Sequence, residues 1–136
     1  MSAKSTLLCL TLFWLSAKAI EMSVSTKDEL DELLTKECEK VVIVKFGAGW
    51  CAPCQAIAPA YAEVLQEFEA HVVSVAAGRD DAEELFEEYE VTGMPTFVLF
   101  KNSKMEMRLR KPDADEIRSA LKQTCPRPPL VLNEDF

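Results

Sequence analysis

The sequence predicts an α/β fold in which a mixed central β-sheet is flanked by helices on both faces. Three observations carry that expectation. From residue 22 to 124, segments with helical spacing of apolar residues alternate with short runs rich in β-branched residues. The run Val41-Val42-Ile43-Val44-Lys45-Phe46-Gly47 is apolar almost throughout, which suits a central strand buried on both faces. Two further runs, Thr96 to Phe100 and Lys104 to Leu109, flank the pair Asn102-Ser103, which suits a hairpin turn and makes part of the sheet antiparallel.

The elements follow in order. Thr26-Lys27-Asp28-Glu29 reads as a capping box, with Leu30, Leu33 and Leu34 at helical spacing behind it, so a first helix is expected to about Glu37. The strand at 41–47 is followed by a longer helix to about Phe68, with Ile57, Tyr61, Val64, Leu65 and Phe68 available for its buried side. Pro59 removes one backbone donor and is expected to bend it. Val72 to Val75 forms the next strand, and Asp80 or Asp81 is suited to cap a helix that turns Leu85, Phe86 and Tyr89 inward. After the hairpin, Asp113-Ala114-Asp115-Glu116 opens the last helix.

Between the central strand and the long helix lies Trp50-Cys51-Ala52-Pro53-Cys54. Two thiols separated by two residues can close into a disulfide and reopen reversibly. The flanking pattern puts Cys51 at a helix N-terminus, where the dipole and free N–H groups favour a thiolate over the free thiol's pKa of about 8.5. Cys51 is therefore expected to attack a disulfide in a partner protein, and Cys54, nearly one turn into the helix, to resolve the mixed disulfide. A structural zinc site would need a second ligand pair. None is present: Cys9, Cys38 and Cys125 stand alone and His71 is the only histidine. His71 reads as a solvated loop residue; Cys38 and Cys125 stand open as an extra disulfide or regulatory thiols.

The chain resembles the thioredoxin family from about Met22 to Thr124. The resemblance is carried by Phe46-Gly47-Ala48-Gly49-Trp50-Cys51-Ala52-Pro53-Cys54, by Pro59 and by Gly93-Met94-Pro95-Thr96-Phe97, in that order. It implies the thioredoxin fold and a protein-disulfide reductase with no bound metal or organic cofactor. It also implies that Met94-Pro95 is a cis peptide beside which an extended substrate segment pairs. Trp50, Ala52, Pro53, Gly93, Met94 and Pro95 are thus expected to shape a docking surface, with Trp50 and Met94 as ordinary core residues the competing reading. In the cytosol the electron donor would be a thioredoxin reductase, a flavoprotein drawing on NADPH. Ala52 replaces the glycine commonest there in thioredoxins, and the motif lacks the histidine typical of protein disulfide isomerases, which tilts the expectation toward a reductant. A secretory isomerase or oxidase, and a non-enzymatic interaction module built on the same fold, are the alternatives.

Three positions depart from the family. Lys45 stands on the central strand where thioredoxins carry a buried acid thought to move a proton from the resolving cysteine. An inward Lys45 offers either an amine to accept that proton or a charge to support the thiolate; otherwise its side chain snorkels to solvent with no part in the chemistry. The glycine usual near the substrate groove is replaced within Arg110-Lys111-Pro112, which makes that rim bulkier and more basic. Gly78 stands where the family usually has an acid.

Composition sets the remaining bounds. The chain has 136 residues, 49% hydrophobic and 28% charged, enough for a single core of ordinary size. Its formal net charge of −8, without a basic cluster, argues against nucleic acid as a partner. Residues 1–19 read as a signal peptide: Lys4, an apolar stretch from Leu7 to Leu15, and Ala17-Lys18-Ala19 as a cleavage site. Removing Lys4 and Lys18 would take the formal charge from −8 to −10. That apolar stretch is short of the ~20 residues of a stable span. The expected location is the secretory pathway or outside the cell, with an optional extension to residue 21 of a cytoplasmic protein as the alternative. Residues 125–136, with Pro126-Arg127-Pro128-Pro129, read as a flexible tail.

Overall fold

The computed structural model describes residues 22–125. The expected signal peptide, and the tail beyond Cys125, lie outside them. Strand β1 (Met22–Ser23) is followed by α1 (Lys27–Lys36), β2 (Val41–Gly47), α2 (Ala52–Glu67) and β3 (Val72–Gly78). Then come α3 (Glu83–Glu88), β4 (Thr96–Lys101), β5 (Lys104–Arg110) and α4 (Ala114–Thr124). The sheet order is β1-β3-β2-β4-β5. Strands β1, β3 and β2 run parallel, whereas β4 pairs antiparallel with both β2 and β5. The predicted mixed sheet is thus observed.

Alternation along β2 divides the interior into two cores. Val42, Val44 and Phe46 pack with Leu30, Leu33 and Leu34 of α1 and Leu85 and Phe86 of α3. Val41 and Ile43 face the other way, onto Tyr61 and Val64 of α2 and Ile117, Ala120 and Leu121 of α4. Because side chains alternate along a strand, Lys45 and Gly47 belong to the α2 face. That parity decides which residues stand behind the cysteine pair.

Local signals set the ends of most elements. Thr26 Oγ1 accepts the Glu29 N–H at 3.2 Å, as the capping sequence predicts. The Glu29 carboxylate takes the N–H of Ser25, at 2.8 Å, and not that of Thr26, so the reciprocal half of the box closes one residue early. The box at α4 is complete, with Asp113 and Glu116 each accepting the other's N–H at 2.9 Å. Asn102 and Ser103 have φ of 53° and 65°, the left-handed pair of a tight hairpin. Helix α2 runs through Pro59 from Ala52 to Glu67.

Two elements differ from expectation. Neither Asp80 nor Asp81 caps α3: its N-cap is Ala82, without a side-chain hydrogen bond. The tight turn there is closed by the Ala82 N–H donating to Gly78 O at 2.7 Å. Strand β1 was not expected, because two residues have no period to read; it is held by pairing of Met22 with Val75 and Ser23 with Ala76.

Candidate active site

One end of the strands gathers the loops that matter. Ala77, Phe46, Thr96 and Arg110 lie side by side in register across β3, β2, β4 and β5. The segments just beyond that row therefore emerge together: Ala48 to Cys51 after β2, Arg79 to Ala82 after β3, Gly93 to Pro95 before β4, and Lys111 to Asp113 after β5. This convergence brings the sequence-predicted Trp50, Cys51, Gly93, Met94 and Pro95 to one end of the molecule. The Met94-Pro95 peptide is cis.

Cys51 and Cys54 form a disulfide, with their Cα atoms 5.3 Å apart. Cys51 is the N-cap of α2, and its Sγ accepts the Cys54 N–H at 3.2 Å. That N–H is one of the helix's unpaired first-turn donors, and it is directed at the Cys51 sulfur. The two residues are equally shielded in the oxidised pair, Cys51 5% and Cys54 4% exposed, so the asymmetry expected between them rests on their positions relative to the helix and not on exposure. Ala52 and Pro53 are exposed at the start of α2.

Behind the pair the structure is built of small residues. A cavity of about 300 Å³ is lined by Lys45, Gly47, Ala48, Gly49, Cys54, Gln55, Ala58, Ala76, Ala77 and Gly78. Gly47 is in closest approach: a Cβ added there would lie 3.0 Å from Cys54 Sγ. Lys45 is half-buried and shares this cavity with Cys54, its Nζ 5.6 Å from the centre of the Tyr61 ring. The side chain is thus neither fully in the core nor fully in solvent. The Tyr61 hydroxyl and Ser74 Oγ are 2.7 Å apart on the same face.

On the outer side, Trp50 is 64% exposed, not packed into the core. Its indole Nε1 donates to Asp80 Oδ2 at 3.1 Å. Asp80, expected as a helix cap, therefore anchors the tryptophan instead; nothing in the local sequence signals a bond between residues 30 positions apart. Gln55 Nε2 donates to Gly49 O at 2.5 Å, tying the loop to the helix it precedes, and this contact too was not expected. Met94 is half-buried against the α1 and α3 core, and Pro95 is buried. Of the remaining cysteines among the described residues, Cys38 is exposed and Cys125 half-buried, and both are free. Burial pushes the Cys125 thiol pKa up, with Lys101 partly opposing it.

A sequence profile of the family described as Thioredoxin matches residues 21–123. Thioredoxin H-type from Oryza sativa subsp. indica is 39% identical over 87 residues, 62% of this chain and 70% of that protein. Thioredoxin-T from Drosophila melanogaster is 41% identical over 78 residues, 57% of this chain and half the length of that protein. Among solved structures, Fasciola hepatica thioredoxin superposes with a TM-score of 0.70 at 29% identity, covering 75% of this chain and 97% of that one. Fold, cysteine pair and matched residues agree, and the chain belongs to the thioredoxin family of thiol-disulfide oxidoreductases.

Proposed function

We propose that the chain reduces protein disulfides by way of a mixed disulfide. The Cys51 thiolate attacks one sulfur of the partner's disulfide; that bond breaks, and the partner's other sulfur leaves as a thiolate and takes up a proton. Cys54 then gives up its proton and attacks Cys51 Sγ, and the partner's second thiolate leaves. Two electrons have passed to the partner, and the Cys51–Cys54 disulfide awaits a two-electron donor of the dithiol or flavoprotein class. The observation that carries this reading is the Cys54 N–H held 3.2 Å from Cys51 Sγ at a helix N-terminus, an arrangement that favours an anionic sulfur.

Lys45 acts in the second step, since it lines the same cavity as Cys54, to which no other cysteine contributes. It accepts the proton that Cys54 releases, or supports the resulting thiolate by its charge. Trp50, Ala52, Pro53, Gly93, Met94 and Pro95 provide the surface on which an extended segment of the partner lies. Residues 1–19 direct the chain to the secretory pathway.

Cys54→Ser is expected to accumulate covalent complexes with partner proteins, whereas Cys51→Ser abolishes exchange; residual reduction by Cys51→Ser would overturn the assignment of roles. Lys45→Met keeps the apolar stem and removes the amine. It is expected to change the pH profile of Cys54-dependent turnover, and an unchanged profile would remove Lys45 from the mechanism. The direction of the reaction is read from the reduction potential of the pair. A value near about −270 mV supports a reductant, and one near −180 mV or above supports an isomerase or oxidase instead.

A further inference from the structure

Lys111 occupies a backbone conformation that lysine adopts only under strain. Its φ is 45°, in the left-handed region that glycine enters freely and a side chain with a Cβ does not. The conformation is fixed by the Lys111 N–H, which donates to Pro95 O at 2.8 Å. The side chain turns toward the same loop: Lys111 Cε lies 3.6 Å from where a Cβ on Gly93 would stand. Backbone and side chain of one residue thus meet both ends of the Gly93 to Pro95 segment.

The charge there is unspent. Arg110 is in register with Thr96, the residue after Pro95, and both Arg110 and Lys111 are exposed. Among the described residues, ion pairs form at Lys27 with Asp31 and at Arg118 with Glu67 and Asp115, and neither Arg110 nor Lys111 takes part in one. Two acids at the same end of the sheet are hydrogen-bonded elsewhere, Asp80 to the Trp50 indole and Asp113 to the first turn of α4. In a chain of net charge −8, two adjacent unpaired cations beside the Met94-Pro95 loop form a local field opposite in sign to the whole. At physiological salt the screening length is about 8 Å, so a bound segment senses this rim more than the distant acids.

We propose that Arg110 and Lys111 are specificity determinants that select protein disulfides whose attacked cysteine is flanked by carboxylates. The inference rests on the reductase reading above. It assigns a task to a strained residue: a lysine at this φ carries its ammonium over the docking loop, where glycine would leave the surface neutral.

The test uses dimeric peptides linked through one central cysteine and identical except for Asp, Asn or Lys two residues to either side of it. Their single-turnover reduction by the reduced full chain is divided by their reduction rate with dithiothreitol, which removes differences in intrinsic reactivity. Exposed charge pairs are individually weak, so attraction by two cations set against repulsion is expected to favour Asp over Lys peptides by about tenfold at low salt. The preference should shrink toward about twofold in 0.5 M salt. Arg110→Gln with Lys111→Gln is expected to bring the ratio near unity, and Lys111→Arg to retain it. Lys104→Gln, at the far end of β5, serves as the control for bulk charge and should leave the ratio in place. Lys111→Gly, which removes the cation while relieving the backbone, provides a second variant if the double one folds poorly. An undiminished ratio in the double variant or in Lys111→Gly, or an equal loss in Lys104→Gln, overturns the proposal. Failure of the wild-type chain to reduce any of the peptides overturns the reductase reading itself.

Discussion

Gly47→Ala probes the close contact behind the disulfide. The added Cβ would stand 3.0 Å from Cys54 Sγ and 3.6 Å from Cys54 Cβ. Ordinary carbon contacts lie at about 3.5–4.0 Å, and sulfur is larger than carbon, so something has to give. Gly47 does not have a positive φ, so alanine is permitted by the backbone, and the substitution lowers the unfolded chain's entropy by about 0.4–1 kcal/mol in its favour. Against that stands overpacking of about 1–3 kcal/mol. In the oxidised chain Sγ is bonded to Cys51 and cannot swing aside, so the variant loses about 0.5–2 kcal/mol on balance. In the reduced chain the free thiol can yield, and the two contributions nearly cancel. A difference of about 0.5–2 kcal/mol between the states corresponds to a reduction potential about 10–40 mV more positive, because 30 mV is about 1.4 kcal/mol for a two-electron couple. Denaturant unfolding of both states, with redox titration in glutathione buffers, measures each quantity separately. Equal losses in both states with an unchanged potential would refute the reasoning.

Three further outcomes are expected. Arg118 binds Glu67 through Nε at 2.9 Å and Nη2 at 2.9 Å, and this hydrogen bonding holds the Glu67 carboxyl below the ordinary carboxylate value. The folded value lies below the unfolded one, so the stability that Arg118→Ala removes is present at neutral pH and vanishes as pH falls through the lowered value; melting curves from neutral to strongly acid pH should converge. Ser103→Gly relieves a left-handed φ of 65° in the hairpin turn and should stabilise the chain by about 0.5–1 kcal/mol, seen as a higher denaturant midpoint with unchanged slope. Ile117→Ala empties a fully buried position between α4 and the sheet and should cost about 2–5 kcal/mol in the same assay.

The parts of the fold that sequence expresses locally were legible. The apolar run at 41–47, the leucines of α1, the turn at Asn102-Ser103 and the Asp113 box each announce their element within a few residues. Asp80 and Asp81 illustrate the limit. An acid before a helix is a good cap by composition, yet a tight turn from Gly78 places Ala82 at the cap and leaves Asp80 free to reach the Trp50 indole. The cysteine pair was legible because its chemistry depends on spacing alone. Lys45 was legible as a departure but not as a geometry, since only β2 parity and the position of α2 bring it to the cavity that Cys54 also lines. The strain at Lys111 was invisible in the sequence because φ there is imposed by the bond to Pro95 across the sheet edge.

Cys51 also closes the first turn of α2, and this gives one atom two occupations. When the sulfur is an anion it is a stronger acceptor for the Cys54 N–H than when it is tied into a disulfide, since charge-assisted hydrogen bonds are roughly twice as strong as neutral ones. Each turnover therefore tightens and loosens the start of the longest helix in the described chain. Amide exchange at Cys54 should register that rhythm, making a single backbone proton a gauge of how many electrons the molecule is carrying.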